Sequence, residues 1–165
     1  STIGNMEPLA ATDLLRSMCK TLGQGSQLLI GMDRIKAEHV LVSAYDDTAG
    51  VTAAFNLNLA HRINRDLDGT LDVEALRHRA IWNDARARIE MHLEATENLV
   101  FKAAGRSFTL RQGETIHTEN SHKYDPRSAA TLLLAGGWVP RQMWQDADER
   151  FMVILADVLE DDLSA

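Results

Sequence analysis

The sequence predicts an α/β fold, and three observations lead to that class. Helical and strand patterns alternate at both ends of the chain, as they do in sheets covered by helices. The middle of the chain differs, because amphipathic helices there are followed by short strands. With 45% apolar and 25% charged residues among 165, the chain can also fill the core of an ordinary domain.

The N-terminal end supplies the first helix and the first strand. Pro8 marks a helix start, and the helical pattern ends near Gly23. The apolar run Gln27–Met32 then has the pattern of a buried parallel strand. Asp33 follows at the carboxyl edge of this strand, where open α/β sheets bind ligands.

The middle begins with helices. Ile35–Leu67 is mostly helical with a break at Asp46–Gly50, and a third short helix is predicted at Val73–Ile81. In the second helix, apolar residues recur every four positions and form the expected buried stripe. The stripe consists of Val51, Phe55, Leu59 and Ile63.

Strand patterns replace the helices in the second half of the chain. Arg86–Glu94 alternates charged and apolar residues like a half-buried strand, and Leu99–Ala103 and Ser107–Arg111 complete an antiparallel meander. Gly113–Tyr124 lacks both periodicities and is interpreted as a polar loop. Asp125 then starts a helix as its N-cap. The last two predicted strands are Trp138–Asp146 and Phe151–Val158, the second of which is also compatible with a helix.

The change of character along the chain predicts two domains. Residues 1–33 and 125–165 would form an α/β portion, and residues 34–124 a domain inserted into it. The opening residues Ser1–Asn5 include no initiator methionine and have the pattern of a turn within a longer chain. We therefore expect a further segment upstream of them.

Charge and cysteine content exclude several classes of function. A net charge of −7 argues against nucleic acid or an anionic membrane as the main partner. Cys19 is the only cysteine, so a cytoplasmic location is the default. The spacing of His117 and His122 with the neighbouring glutamates fits no familiar zinc or non-haem iron pattern. No metal site and no catalytic residue is predicted.

The polar stretch Gly113–Tyr124 is the clearest candidate for binding a ligand. It holds two His, two Glu, two Thr, an Asn, a Ser and a Tyr within twelve residues. Glu119 could accept a hydrogen bond from a small polar molecule, and Ser121 could donate or accept one. By composition alone, a solvated connection that satisfies its own backbone is the alternative.

Seven blocks of residues occur in one order and resemble the C-terminal half of the histidine-specific N-α-methyltransferases, which make hercynine in ergothioneine biosynthesis. The resemblance covers essentially all of the chain. It implies part of a Rossmann-like S-adenosylmethionine methyltransferase sheet with an inserted α+β substrate-binding domain. The blocks are Ser1–Asn5, Leu29–Asp33, Ala44–Asp47, Gly50–Asn58, Arg62–Arg65, Arg88–Leu93 and the highly specific Gly113–Tyr124.

The resemblance also implies roles for individual residues. Asn5 would hold the α-amino group of a substrate histidine, and Tyr45 would hydrogen-bond its carboxylate. Thr52 and Phe55 would line the pocket. By pattern alone Phe55 would belong to a core instead.

Three further residues would contact the imidazole. Met91 would pack against the ring, while Glu119 and Ser121 would engage its two nitrogens. A neutral imidazole has one donor and one acceptor nitrogen, so a carboxylate and a hydroxyl can read both. The chain has Asp46 where the family usually has Asn, and His122 where it usually has Tyr, which affects the expected substrate preference.

The methyl donor implied by the resemblance is S-adenosylmethionine. The family's glycine-rich loop and acidic residue for this cofactor would lie upstream of Ser1. The strand Gln27–Met32 would then lack a neighbour, and an exposed edge favours self-association. Two alternatives stay open: a methyltransferase for another amino acid or an aromatic amine, and a non-catalytic amino-acid-binding domain.

Overall fold

A computed structural model describes residues 2–158, which form helices and strands in two compact units. The first unit comprises residues 2–36, 85–88 and 120–158, and the second comprises residues 37–84 and 89–119. The helices are α1 (Pro8–Leu22), α2 (Glu38–Tyr45), α3 (Val51–Asp66) and α4 (Pro126–Ala135). The strands are β1 (Gln27–Asp33), β2 (Leu76–Asn83), β3 (Arg88–Ala95), β4 (Leu99–Ala103), β5 (Arg106–Leu110), β6 (Thr115–His122), β7 (Trp138–Gln145) and β8 (Phe151–Val158).

The first unit is a sheet with helices packed on it. Its strand order is β1-β8-β7, and β8 is antiparallel to both neighbours. The fully buried Trp138 donates its indole N–H to Leu15 O over 2.9 Å, which ties β7 to α1. Gly136 permits this close packing, because a Cβ there would lie 2.5 Å from Leu15 Cβ. The predicted α/β class is confirmed.

The start of α4 also agrees with the sequence pattern. The Asp125 side chain accepts a hydrogen bond from Ser128 N, and Ser128 Oγ accepts one from Asp125 N. This reciprocal capping box satisfies backbone donors that the first helical turn leaves without partners. Asp125 is therefore the N-cap, as predicted.

β1 departs from its prediction as a buried parallel strand. It pairs antiparallel with β8, and Leu29 is 64% exposed. The physical reason is that β8 lies between β1 and β7 and leaves β1 at the end of the described sheet. The Phe151–Val158 segment forms that central strand, so its helical alternative is wrong.

The second unit combines two helices with a three-stranded sheet and a separate hairpin. The sheet order is β2-β3-β6, and β4 pairs only with β5 in the described part of the chain. The single predicted meander is therefore wrong, because β3 lies between β2 and β6 instead of beside β4. Buried apolar residues of α3, β3 and the β4–β5 hairpin share one core cluster; they are Ala60, Leu93, Ala95, Leu99 and Phe101.

Two further predictions about the middle of the chain are wrong. The segment predicted as a third helix contains strand β2, in which buried Leu76 and His78 alternate with exposed Arg77. The predicted polar loop Gly113–Tyr124 contains strand β6, whose polar residues are ordered by pairing in a sheet. The physical reason in both cases is tertiary: strand pairing satisfies backbone groups whatever the local hydropathy pattern.

The predicted buried stripe of α3 is also wrong. Val51 and Phe55 are 69% and 63% exposed, whereas Asn56 and Ala60 are fully buried. Small or hydrogen-bonded residues thus form the packed face of this helix, and larger apolar residues lie outside it.

One prediction concerns the division of the whole chain. The division into a methyltransferase portion and a substrate-binding portion stays a prediction, and residues 1 and 159–165 of it lie outside the described residues. In the described part, every helix is too short or too polar to cross a membrane.

Candidate functional site

In the first unit, the turn that carries Asn5 packs against the end of β6. Thr2–Asn5 forms a short 3-10 helix, and a Cβ on Gly4 would lie 3.0 Å from His122 O and 3.8 Å from Ser121 Oγ. A side chain at this position would require that backbone to shift by a few tenths of an ångström. The contact places the turn that precedes Asn5 beside Ser121.

Ser121 belongs to a buried polar network at the carboxyl end of β1. Lys123 Nζ lies 2.8 Å from Ser121 Oγ and 2.9 Å from Asp33 Oδ2. Lys36 Nζ lies 2.5 Å from the other oxygen of Asp33. The Lys123 side chain is completely buried, and that of Asp33 is 25% exposed. Asp33 thus neutralises a buried ammonium at the sheet edge that the sequence identified as a ligand position.

The carboxylate of Asp33 is ionised in this setting. Burial acts to raise its pKa, but hydrogen bonds from Lys36 and Lys123 outweigh that effect, so the pKa of Asp33 is lowered overall. The backbone supports the same arrangement, since Tyr124 N donates to Asp33 O over 2.9 Å. This bridge brings the segment that follows β6 beside the end of β1.

A second ion pair anchors the residue before Ser121. Arg88 is 4% exposed and its guanidinium donates to Glu7 Oε1. Asn120 Nδ2 donates to the same carboxylate oxygen over 3.0 Å. The N-terminus of α1 and the last part of β6 are therefore held together by charge-assisted hydrogen bonds.

His122 occupies the position next to Ser121 and faces a different environment. Its Nε2 atom is buried without a hydrogen-bond partner in the described structure. Burial lowers the pKa of His122, and the nearby Glu7 opposes that shift only in part. The ring is therefore neutral near pH 7, and it lines a cavity of about 600 Å³ between α1 and α4.

In the second unit, Tyr45 and Met91 pack in one apolar cluster. Met91 is 5% exposed and contacts a core with Leu41 and Ile89, against which Tyr45 is half-buried. Thr118 Oγ1 donates to Met91 O over 2.9 Å and so ties β6 to β3. The structure thus brings two of the predicted histidine contacts into the same cluster.

A neutral hydrogen-bond chain, which the sequence did not indicate, supports this cluster. The fully buried Asn56 donates through Nδ2 to His78 Nδ1 over 3.0 Å and to His92 O over 3.1 Å. Because His78 Nδ1 accepts, its Nε2–H donates to Tyr45 O over 2.8 Å. This chain of hydrogen bonds fixes the backbone at the end of α2, where Tyr45 lies.

Thr52 and Phe55 lie at the start of α3. Asp47 caps this helix by accepting hydrogen bonds from Thr52 N at 2.8 Å and Val51 N at 3.0 Å. The bond from the Thr52 backbone is the largest cause that lowers the pKa of Asp47 to about 2. Phe55 projects from the next turn with most of its ring surface exposed.

Glu119 and Ser121 lie two residues apart on β6. Because side chains alternate along a strand, these two point to the same side of it. Ser121 is 9% exposed and Glu119 is half-buried. The strand geometry therefore allows both polar groups to hydrogen-bond to one ring.

One histidine cluster in the second unit was not anticipated. The rings of His92 and His117 stack with centroids 4.6 Å apart, and His92 Nε2 lies 3.3 Å from Glu90 Oε2. Burial lowers the pKa of His92, although Glu90 acts in the opposite direction. These three side chains could each offer a metal ligand. The near-parallel rings, inclined by 17°, direct their nitrogen lone pairs along parallel planes instead of towards one ion.

The structure thus places the predicted residues in two groups. The Asn5 turn and Ser121 belong to the first unit, and Tyr45 and Met91 share a cluster in the second. Thr52, Phe55 and Glu119 also belong to the second unit, outside that cluster. Lys123 and Asn56 were missed as supporting residues, because Lys123 has its counter-ion Asp33 and Asn56 has its partner His78 on distant parts of the sequence. The ligand roles of the seven residues stay predictions.

Comparison with known proteins points in one direction. A family model described as histidine-specific, SAM-dependent methyltransferase matches residues 1–158. Two curated relatives, each called histidine N-alpha-methyltransferase, come from Mycolicibacterium smegmatis and Mycobacterium tuberculosis. Each is 38% identical over 158 residues, which cover 94% of this chain and 49% of the relative. The chain therefore spans about half the length of the curated relatives it matches.

Among solved structures, the chain is similar to the CcbJ methyltransferase from Streptomyces caelestis. The TM-score is 0.48 and the sequence identity 11%. The match covers 95% of this chain and 57% of that one.

Proposed function

The chain belongs to the SAM-dependent, histidine-specific methyltransferase family, and from this premise we propose that it supplies the histidine-binding part of such an enzyme. The reaction would transfer methyl groups from S-adenosylmethionine to the α-amino nitrogen of histidine and give trimethylhistidine, the hercynine of ergothioneine biosynthesis. The residues of this chain would bind and orient the amino acid, and positioning would supply most of the acceleration.

The observation that carries the proposal is the end of strand β6. Glu119 and Ser121 point to one side of that strand, and Ser121 is held by the buried Lys123. A carboxylate and a hydroxyl on one side of a strand can accept from one imidazole nitrogen and donate to the other. A site that uses both contacts rejects analogues that lack them.

The remaining residues would hold the other parts of the substrate. Asn5 would bind the α-amino group and Tyr45 the carboxylate. Met91 would form a soft apolar wall for the ring, with Thr52 and Phe55 lining the same pocket. The exposed aromatic ring of Phe55 is consistent with this role, because a core residue would be covered. We also propose that the second unit corresponds to the substrate-binding domain.

The connection after β1 does not supply the glycine-rich turn that the resemblance associates with S-adenosylmethionine. Residues 34–37, which link β1 to α2, contain no glycine. We propose histidine binding as the role of the residues named above.

A methylation assay tests this function. The enzyme that contains this chain is incubated with S-adenosylmethionine and either histidine or tryptophan, and the products are analysed by mass spectrometry. Methylated histidine without methylated tryptophan is the expected outcome. Methylated tryptophan alone would assign the enzyme to another amine substrate.

A binding domain without transferase activity is the second candidate. The glycine-free connection after β1 is the observation that favours it. Calorimetry separates the two. Heat of binding with histidine but none with S-adenosylmethionine supports the binding domain.

The edge of β1 leads to a proposal about association. β1 is the terminal strand of its described sheet, and Leu29 on it is largely exposed. Exposed strand edges pair with other chains, so we propose that the chain self-associates through β1. We also propose that it acts in the cytoplasm and that neither nucleic acid nor a membrane is its partner. Light scattering should show oligomers that Leu29→Lys converts to monomers. A monomeric wild-type chain would contradict this.

A further inference from the structure

His122 leaves one buried hydrogen-bond acceptor without a donor in the first unit. The side chain is 7% exposed, and no residue of the described part of the chain bonds to its Nε2 atom. Burial lowers the pKa of His122, whereas a hydrogen bond with the Arg86 backbone acts to raise it. A backbone bond has that effect when the ring N–H donates to a carbonyl oxygen. That donor is Nδ1, because Nε2 is unpartnered, so Nε2 of the neutral ring carries a lone pair.

The cavity that His122 lines has the size and the walls of a small-molecule site. Its volume is about 600 Å³, and its lining residues all belong to the first unit. Sites for small molecules are typically of this size, with mainly apolar walls and a few polar groups that orient the ligand. The apolar part of the wall comes from both helices and from the segments beside them; it consists of Pro8, Ile35, Ala87, Leu132 and Ala135.

Other polar residues of the wall already bond within the protein. Thr12 Oγ1 and Thr131 Oγ1 each donate to a backbone carbonyl one helical turn earlier. Asp125 and Ser128 bond to each other in the capping box of α4. A buried acceptor without a donor is costly, and in proteins such an atom is usually paired with a ligand or with water. The lone pair of His122 Nε2 therefore defines the polar group that a ligand in this cavity has to present.

We propose that this cavity binds a small, uncharged and mainly apolar molecule that donates one hydrogen bond, through a hydroxyl or an N–H group, to His122 Nε2. Apolar walls disfavour a charged ligand, because its lost hydration is not replaced there. The lone pair of Nε2 requires a donor and repels an anionic oxygen.

This site is separate from the proposed histidine contacts. Side chains alternate along β6, so His122 points to the opposite side of the strand from Ser121. The proposal therefore does not depend on histidine binding, and either one can fail without the other.

Two aromatic probes of similar shape test the proposal. The hydroxyl of para-fluorophenol donates a hydrogen bond, whereas the methyl ether of para-fluoroanisole donates none. Fluorine NMR titrations measure the affinity of each probe for the enzyme that contains this chain. We expect saturable binding of para-fluorophenol, about tenfold tighter than that of para-fluoroanisole. Equal affinities, or no binding of para-fluorophenol, would overturn the proposal and leave water as the partner of His122.

His122→Asn tests the acceptor. An asparagine amide keeps a donor near the position of Nδ1 but has no atom at the position of Nε2, so the two probes should bind with equal affinity. A preference of about tenfold for para-fluorophenol that persists in the folded variant would overturn the assignment of His122 as the acceptor.

Thr131→Phe tests the cavity itself. Thr131 is an exposed residue of α4 that lines the cavity, so a phenylalanine there should occupy part of the space and weaken both probes about tenfold. Leu134→Phe is the matched control, because it adds the same ring at an exposed position of α4 outside the cavity wall. Equal affinities in these two variants would place the probes elsewhere and overturn the proposal. Because Thr131 is exposed, this comparison decides even where His122→Asn does not fold.

Discussion

The two units each bury a polar network, and the networks are chemically different. The first unit buries an ammonium, Lys123, between Asp33 and Ser121. The second buries an amide, Asn56, between His78 and the backbone carbonyl of His92. The first depends on a balance of charges, whereas the second depends only on hydrogen-bond geometry.

The difference shows what each arrangement can do. A buried ammonium requires a counter-ion, and it can only donate to a neighbouring hydroxyl. A neutral amide–imidazole chain carries no net charge, and it fixes the position of a backbone segment, here the end of α2. Charge in the first unit therefore holds the end of β1 beside the segment that follows β6, and the neutral hydrogen bonds in the second unit hold the end of α2.

Lys123→Met should have the largest effect on stability, because it removes the buried ammonium of the first unit. It leaves the Asp33 carboxylate with Lys36 alone, and we expect a loss of about 2–3 kcal/mol of unfolding free energy. This is below the cost for a fully buried pair, because Asp33 keeps one partner and some solvent contact. Urea unfolding measures the loss, with the exposed Lys20→Met as control. A loss equal to that of the control would contradict the account.

Asn56→Leu should have the next largest effect. It leaves His78 Nδ1 and His92 O buried without their donor, and we expect a cost of about 2 kcal/mol. Relative to the wild type, hydrogen exchange should accelerate more for the amides of β3 than for those of β8, since only the second unit loses a network. Asn58→Ala, on the exposed side of the same helix, serves as control. Equal acceleration in both strands would argue against two separate networks.

Asp125→Ala sharpens the comparison within the first unit. It removes the capping box of α4 without touching the buried ammonium, and a cap of this kind contributes about 1 kcal/mol. The change should therefore lower the unfolding free energy measured in urea by less than Lys123→Met does. A loss larger than that of Lys123→Met would contradict this ranking.

Acidification should give the smallest effect and involve one histidine from each unit. Burial lowers the pKa of His122 in the first unit and of His92 in the second. A lowered pKa in the folded state means that the unfolded chain takes up protons first as the pH falls. The stability contributed by each neutral histidine is therefore complete above about pH 6.5 and declines as the pH falls below it. His122→Tyr and His92→Gln should each flatten the fall in stability between about pH 7 and pH 5.5. Steeper curves in either variant would reverse the sign and contradict the assignment.

Elements with strong local signals were predictable from the sequence. The cap at Asp125 and the strand at β7 follow from residues next to one another in the chain. β2 and β6 were missed because their polar residues are ordered by neighbouring strands, which a local pattern does not contain. The buried face of α3 was predicted wrongly, since Asn56 and Ala60 form its packed side where larger apolar residues were expected.

The candidate site divides in the same way. Glu119 and Ser121 stand in a block specific enough to be identified by resemblance. Lys123 stands in the same block, but its contact with Ser121 was not predicted. Lys123 finds its counter-ion in Asp33, ninety positions earlier, and Asn56 finds its partner His78 on another element. Ion pairs and amide contacts of this kind leave no periodic trace in a sequence, because only the folded chain brings the two groups together.

The central claim is that Glu119 and Ser121, at the end of β6, hydrogen-bond to the imidazole of a bound histidine. Its most direct test is a calorimetric titration of histidine into the wild-type chain and into Ser121→Ala and Glu119→Gln. We expect saturable binding by the wild type and a loss of about tenfold or more in each variant, since each removes one polar contact to the ring. Equal affinity in all three proteins would contradict the claim.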